Sequence, residues 1–331
     1  MSFARHLLSF ALQLIDVQTQ EHRWSQDYDR ELKDVFAIQS DVAQRVAEAL
    51  RVELLAGEER QLKKKVTENI EAYDLYLRGR NQLHKYTEDG NRKALEYFEE
   101  ALDIDPGYAA AYAGLADCYY GLSNIYLPPE QAMPKARAAA KRALEIDNSL
   151  AEAHATLAVV RAFYDWDWVA ADREFKRAIE LNPNYASAHH LYGIYLVANG
   201  RFDEAKIELD RAHQLDPLSL SIEVTAVWPD YFGRHYEQAA RKVRKTIAME
   251  PDFPPAHLVL GASYKQIGEF TRAIAEQEKA YELNRSSEGL GYLGHTYALA
   301  GMRDKAQKAR EKLQARVERG DHVPSVAIAL I

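Results

Sequence analysis

The sequence predicts a mainly α-helical solenoid of helix–turn–helix repeats behind a small N-terminal α/β segment. Three observations carry that expectation: a motif returning about every 34 residues, small side chains at fixed places within each period, and a different pattern before residue 58.

The first 57 residues do not follow the repeat. Leu12-Gln13-Leu14-Ile15-Asp16-Val17 and His22 to Tyr28 read as short strands around a Gln18-Thr19-Gln20 turn. Val35, Ile38, Val42, Val46, Leu50 and Leu54 then recur at helical spacing, which gives one long amphipathic helix. The apolar run Leu7 to Ile15 follows Arg5, yet no small-x-small cleavage site comes after it. It is also shorter than the roughly 20 residues needed to cross a bilayer. Residues 58–70 read as a helical linker, with Lys63-Lys64-Lys65 on a solvated face.

From residue 71 to residue 320 the chain divides into about seven units. ALDIDPGYA from Ala101, ALEIDNSLA from Ala143, AIELNPNYA from Ala178, AHQLDPLSL from Ala212, TIAMEPDFP from Thr246 and AYELNRSSE from Ala280 align, with starts 42, 35, 34, 34 and 34 residues apart. In the first helix of the units Gly79, Ala116, Ala158, Gly193, Gly261 and Gly294 share one place. In the second helix Ala94, Ala136, Ala171, Ala205, Ala239, Ala273 and Ala306 share another. Two helices approach closely only where side chains are small, and a large group in either column would force them apart. Pro106, Pro183, Pro217 and Pro251 end second helices, because the residue before a proline disfavours helix. Asn148 and Arg285 stand at that place in two units and predict less sharply defined junctions.

These columns and the 34-residue period resemble the tetratricopeptide repeat, a helix–turn–helix unit. The run from Leu12 to Leu50 resembles the C-terminal part of a TolB-like domain, and Ala162 to His190 resembles repeat arrays of bacterial signalling proteins that carry such a domain. The resemblance implies a truncated TolB-like segment over 1–57. It also implies an absent output module of the winged-helix, nucleotide cyclase or kinase kind. Residues 321–331 read as the start of a further, truncated helix. Pro229 inside a first helix predicts a break near Thr225–Pro229. Extra residues within 84–92 and around Leu127-Pro128-Pro129 map to inter-helix turns, where added length costs little.

Composition narrows the function. The chain has 331 residues, 47% hydrophobic and 28% charged, with 42 Lys+Arg against 50 Asp+Glu and a net charge of −8. That balance argues against a nucleic-acid partner, and no segment predicts membrane insertion. One cysteine, Cys118, excludes an intrachain disulfide and any multi-cysteine zinc site. HExxH, paired CxxC, a glycine-rich phosphate loop and GxSxG are all missing, so no catalytic, cofactor or metal site is expected. His189 and His190 are neighbours about 100° apart on a helix and cannot share a metal. His154, His189 and His257 share the fourth place of their units, a packing position.

A concave groove lined by first helices is the expected binding surface. Register places Asp117, Tyr120, Val159, Phe163, His190, Ile194, Trp228, Tyr231, Leu258, Lys265 and His295 along it. Phe163, Trp228 and Tyr231 are the expected apolar anchors, with Asp117, His190 and Lys265 setting polarity. The expected partner is a protein or peptide segment. The Lys/Asn clamp that some members use on acidic chaperone tails is absent, since Asp117, Val159, Ile194, Trp228, Ala262 and His295 fill the Asn place. Homodimerisation through a sheet edge or the C-terminal apolar helix is a further expectation, as is a cytoplasmic location, or a periplasmic one within a membrane-anchored parent.

Overall fold

A computed structural model describes residues 7–15, 19–31, 41–42, 44–46, 48–49, 67–83, 87–123 and 126–331. Gln18, Val35, Ile38, Leu50, Leu54 and the lysine run at 63–65 lie outside the described residues. The chain divides after Asp74 into two units. In the first, β1 (Leu7–Ile15) pairs antiparallel with β2 (His22–Glu31), Leu12 opposite Gln26 and Leu14 opposite Trp24. Leu12, Leu14 and Trp24 are half-buried while Gln13 and Ser25 between them are exposed, the two-residue alternation of a one-faced sheet. Described residues between 41 and 49 are helical.

The other named elements among the described residues are all helices. Seven pairs follow one another: α1 (Ile70–Leu83) with α2 (Glu88–Ile104), α3 (Ala109–Leu122) with α4 (Pro129–Ile146), α5 (Ala151–Phe163) with α6 (Trp168–Leu181), and α7 (Ala186–Ala198) with α8 (Phe202–Leu215). Then come α9 (Leu220–Thr225) and α10 (Trp228–Phe232) with α11 (Tyr236–Met249), α12 (Pro254–Gln266) with α13 (Phe270–Asn284), and α14 (Ser287–Leu299) with α15 (Arg303–Glu318). The short α16 (Ser325–Ala329) follows. The first helix of the fifth pair is thus broken in two just before Pro229, which takes a first-turn position of α10, where its missing amide costs nothing.

The small columns do what close packing requires. All seven alanines of the second-helix column are buried, six of them completely. A Cβ built on Gly79 would lie 2.6 Å from Phe98, and one on Gly193 2.6 Å from Leu209. Each large side chain fills the space its glycine leaves. At the junctions Asp105, Asp147, Asn182, Asp216 and Glu250 are the C-caps, each donating its amide to the carbonyl four residues back. The Asn148 junction is therefore as sharp as those with proline. At the other exception Arg285 itself turns the chain, with φ +53°, a left-handed cap more often given to glycine or asparagine.

His154, His189 and His257 form one recurring contact. Their Nδ1 atoms lie 2.6, 2.6 and 2.7 Å from Glu174, Glu208 and Glu276, each glutamate on the second helix of the same unit. Their Nε2 atoms face the backbone carbonyls of Asn148, Pro183 and Pro251 at the end of the preceding unit. The fourth-place histidine therefore ties its helix both to its partner and to the unit before. Cys118 is wholly buried, and burial pushes its thiol pKa up, as for a small core side chain.

Candidate partner-binding groove

First helices pack on the next first helices: α3 on α5, α5 on α7, α7 on α9 and α10, α9 on α12, α12 on α14. No second helix packs comparably on the next second helix. A row of rods closer on one side than the other curls toward the close side, so first helices line the inner surface of the array.

At the start of this surface Arg80 of α1, Asp117 of α3 and Glu152 and Thr156 of α5 come together. Thr156 donates its hydroxyl to Asp117, and Arg80 Nη1 lies 3.6 Å from the Asp117 carboxylate. Burial pushes the Asp117 carboxyl up to about 6; Arg80 and Thr156 oppose the rise, and the neighbouring Glu152 adds to it. Tyr120 is half-buried beside it, its phenol pushed up to about 12 by burial and by the Asp117 charge. Tyr185 is raised well above the usual phenol range, first by burial and then by Asp117.

The middle is apolar. Phe163 meets Trp168 edge-on at 6.1 Å between ring centres, and both pack on the core of α5–α8. Ile194 is half-buried on α7. His190 places Nε2 3.0 Å from Thr225 Oγ1, whose own hydroxyl donates to the Ser221 carbonyl. The Nε2 atom is therefore the donor, and burial pushes the imidazole down to about 4, so it is neutral. Its polarity is spent tying α7 to α9.

The fifth and sixth units supply Trp228, Tyr231, Leu258 and Lys265. Trp228 is half-buried and meets Phe232 edge-on at 6.2 Å; Phe232 is 52% exposed. Tyr231 contacts Phe232 and Tyr236 and receives Gln266 Nε2 at 3.5 Å on its hydroxyl. Leu258 is half-buried on α12. Lys265 is half-buried too, makes no ion pair among the described residues, and burial lowers its pKa. Tyr292 of α14 lies within electrostatic reach of Tyr231, and its hydroxyl bonds Glu288.

Two groove positions differ from the register expectation. Val159 is wholly buried inside the core, beneath Tyr120 and Phe163. His295 is half-buried, and its Nδ1 donates to the Leu330 carbonyl at 2.8 Å, because α16 lies against α14. Backbone of Ala327 sits where a Cβ on Gly291 would be, and Ile331 covers Gly294. The chain's own end therefore covers that stretch of the surface. Arg80, Glu152 and Tyr185 gather around Asp117, and Glu288 and Tyr292 lie near Tyr231, none of them among the register positions. Arg80 follows Gly79 directly, as Asp117 follows Ala116, so column position alone marks it.

No group of three or more His, Cys, Asp or Glu side chains among the described residues is arranged to hold a metal. No helix among them is long and apolar enough to cross a membrane. The surface is a mosaic of aromatic faces and a few recessed charges, which suits contact with another chain.

Residues 91–125, 174–207 and 231–288 match models of the tetratricopeptide repeat. The array is accordingly an α-solenoid of tetratricopeptide repeats, a fold whose members are protein-interaction scaffolds. Among curated proteins, one from Rhizobium meliloti named an adenylate cyclase is 36% identical over 151 residues, 44% of this chain and 25% of its own. The transcriptional regulator HilA of Salmonella typhimurium is 28% identical over 174 residues, 52% of this chain and 31% of its own. The chain thus spans about a quarter to a third of the length of these relatives. A solved tetratricopeptide repeat protein of Parabacteroides merdae superimposes with a TM-score of 0.54 at 14% identity, covering 79% of this chain and 99% of the other. A chain of the APC/C hetero-tetramer Cut9–Hcn1 also gives 0.54 at 12% identity, covering 90% and 54%. Both likenesses speak to fold.

Proposed function

We propose that the array grips a peptide or protein segment along its concave surface. The observation that carries this reading is the set of half-exposed aromatic side chains on first helices, Phe163 on α5 and Trp228 and Tyr231 on α10, with Lys265 half-buried on α12 of the next unit. Rigid helices hold these groups in place before a partner arrives, which lowers the ordering cost of association. Asp117 and Lys265 would set the polarity of what is gripped. The protein would act as a scaffold without turnover of its own.

The test is a peptide-display selection on the whole chain, repeated with Trp228→Ala/Tyr231→Ala and with the surface change Lys265→Glu. Enriched peptides should lose at least tenfold in affinity on the aromatic double variant while its thermal melt stays cooperative. Peptides that bind all three proteins equally would remove the groove.

A second, compatible reading concerns context. The relatives named an adenylate cyclase and a transcriptional regulator are several times longer than the stretch they share with this chain. That supports a regulatory role for the array in a bacterial signalling protein, with the β1–β2 hairpin as part of a TolB-like domain. Reading the gene upstream of Met1 tests it: an output domain in frame is the expected result.

A further inference from the structure

Opposite charges stand at the same repeat positions on two second helices four units apart. Counting from the column alanine, Ala94 in α2 and Ala239 in α11, the second, fifth and sixth residues are Glu96, Glu99 and Glu100 in the one, and Arg241, Arg244 and Lys245 in the other. All six are exposed, and none forms an ion pair among the described residues. Residues three and four apart on a helix share a face, so each trio is a continuous stripe of one sign. In some other units these positions are neutralised within the array, Lys176 pairing with Asp172, Arg177 with Glu180, and Lys279 with Asp252. Lys141, Lys308 and Lys312 also form no ion pair among the described residues but stand in trios of mixed charge or mixed polarity. The second helices do not pack side by side, so neither stripe is covered by a neighbouring unit.

We propose that the α11 stripe docks on the α2 stripe of a second copy of this chain. The two stripes have equal spacing and opposite sign, and each helix lies on the side of the array away from the groove. A second copy therefore satisfies the free charges of both without competing for the groove. Arg244 donates its Nε to the Ala240 carbonyl at 3.2 Å, but no carboxylate pairs with this arginine-rich face among the described residues. The face is therefore suited to carboxylates, of which the array presents a matching set four units away. Exposed ion pairs are individually weak, so the association is expected to be modest and salt-labile. It is independent of the groove reading.

Sedimentation velocity of the full chain at about 20 mM and about 300 mM salt tests the proposal, because screening shortens the reach of these charges between the two conditions. Wild type should self-associate at low salt and run as a monomer at high salt. The variants Arg241→Glu/Arg244→Glu/Lys245→Glu and Glu96→Lys/Glu99→Lys/Glu100→Lys should each lose at least tenfold in association constant at low salt. Mixing the two variants in equal amounts should restore it, since each then offers the stripe the other needs. A wild-type monomer at low salt, variants that associate like wild type, or a mixture that stays monomeric would each overturn the proposal. Unaltered circular dichroism of both variants separates loss of contact from loss of fold.

Discussion

The ring of Phe98 lies so close to Gly114 that a methyl group on that glycine would come within 2.5 Å of it. The same ring fills the space over Gly79, so one side chain of α2 wedges between the first helix of its own unit and that of the next. Gly114→Ala should therefore destabilise the array by about 1–3 kcal/mol despite alanine's better helix propensity, because the buried Phe98 ring must be displaced to admit it. Phe98→Leu in the same chain should recover part of the loss. Urea unfolding of the two single variants and the double measures it, and strictly additive effects would show that the wedge is not shared.

His189 contributes in another way, through two acceptors at once. Glu208 on one side and the Pro183 carbonyl on the other make it a bracket between α7, α8 and the turn after α6. With 8% of its side chain and 23% of Glu208 exposed, solvent screens the pair little. A double-mutant cycle on His189→Ala and Glu208→Ala should give a coupling of about 1 kcal/mol or more, whereas His189→Ala with Glu276→Ala should be additive. Equal couplings in both cycles would mean that the contact carries no specific energy.

Asp117 predicts a pH signature. Its carboxyl sits at about 6 in the folded chain, against an ordinary 3.8. The native state thus holds a proton between those values that the unfolded chain releases, so this group's contribution falls as pH rises from about 4 to 6 and stays lost above. The shift of about two units corresponds to about 3 kcal/mol. Asp117→Asn keeps the Thr156 acceptor but cannot ionise. The stability of the variant relative to wild type should rise between pH 4 and pH 7, measured by chemical unfolding at each pH. A gap that does not change with pH would show that Asp117 is not strained by its charge.

Much of this architecture was legible because small residues and prolines act locally. The alanine column, the glycine opposite it and the break at Pro229 each follow from what one residue type permits in a helix. The groove was read less completely. The residue after the small one is half-buried as Asp117 and Ile194 but wholly buried as Val159, because Tyr120 and Phe163 pack over the core that Val159 joins, and repeat position carries no signal of that cover. His295 is covered by residues 35 positions away, and no periodic pattern signals a contact of that length. The buried cluster around Asp117 is only partly legible because its members come from three units, and Glu152 and Thr156 stand outside the place that Arg80 and Asp117 share.

Gln277 breaks the rule its own column sets. The fourth residue after the column alanine is Phe98, Phe175, Leu209 and Val243 in four other units, each at most 1% exposed, and an exposed Arg310 only in the last unit. Gln277 is completely buried at that place, and neither its Nε2 nor its Oε1 has a hydrogen-bond partner among the described residues. Its stem fills the space over Gly261 as Leu209 does over Gly193, so size is not the reason for the amide. An unsatisfied buried amide costs about 1–3 kcal/mol, and leucine has a similar volume without the polar atoms. Gln277→Leu should therefore raise stability by about 1–2 kcal/mol in urea unfolding. If the variant is instead less stable, the amide must be satisfied in solution by water between α12 and α13, and high-resolution crystallography of the wild type would show that water.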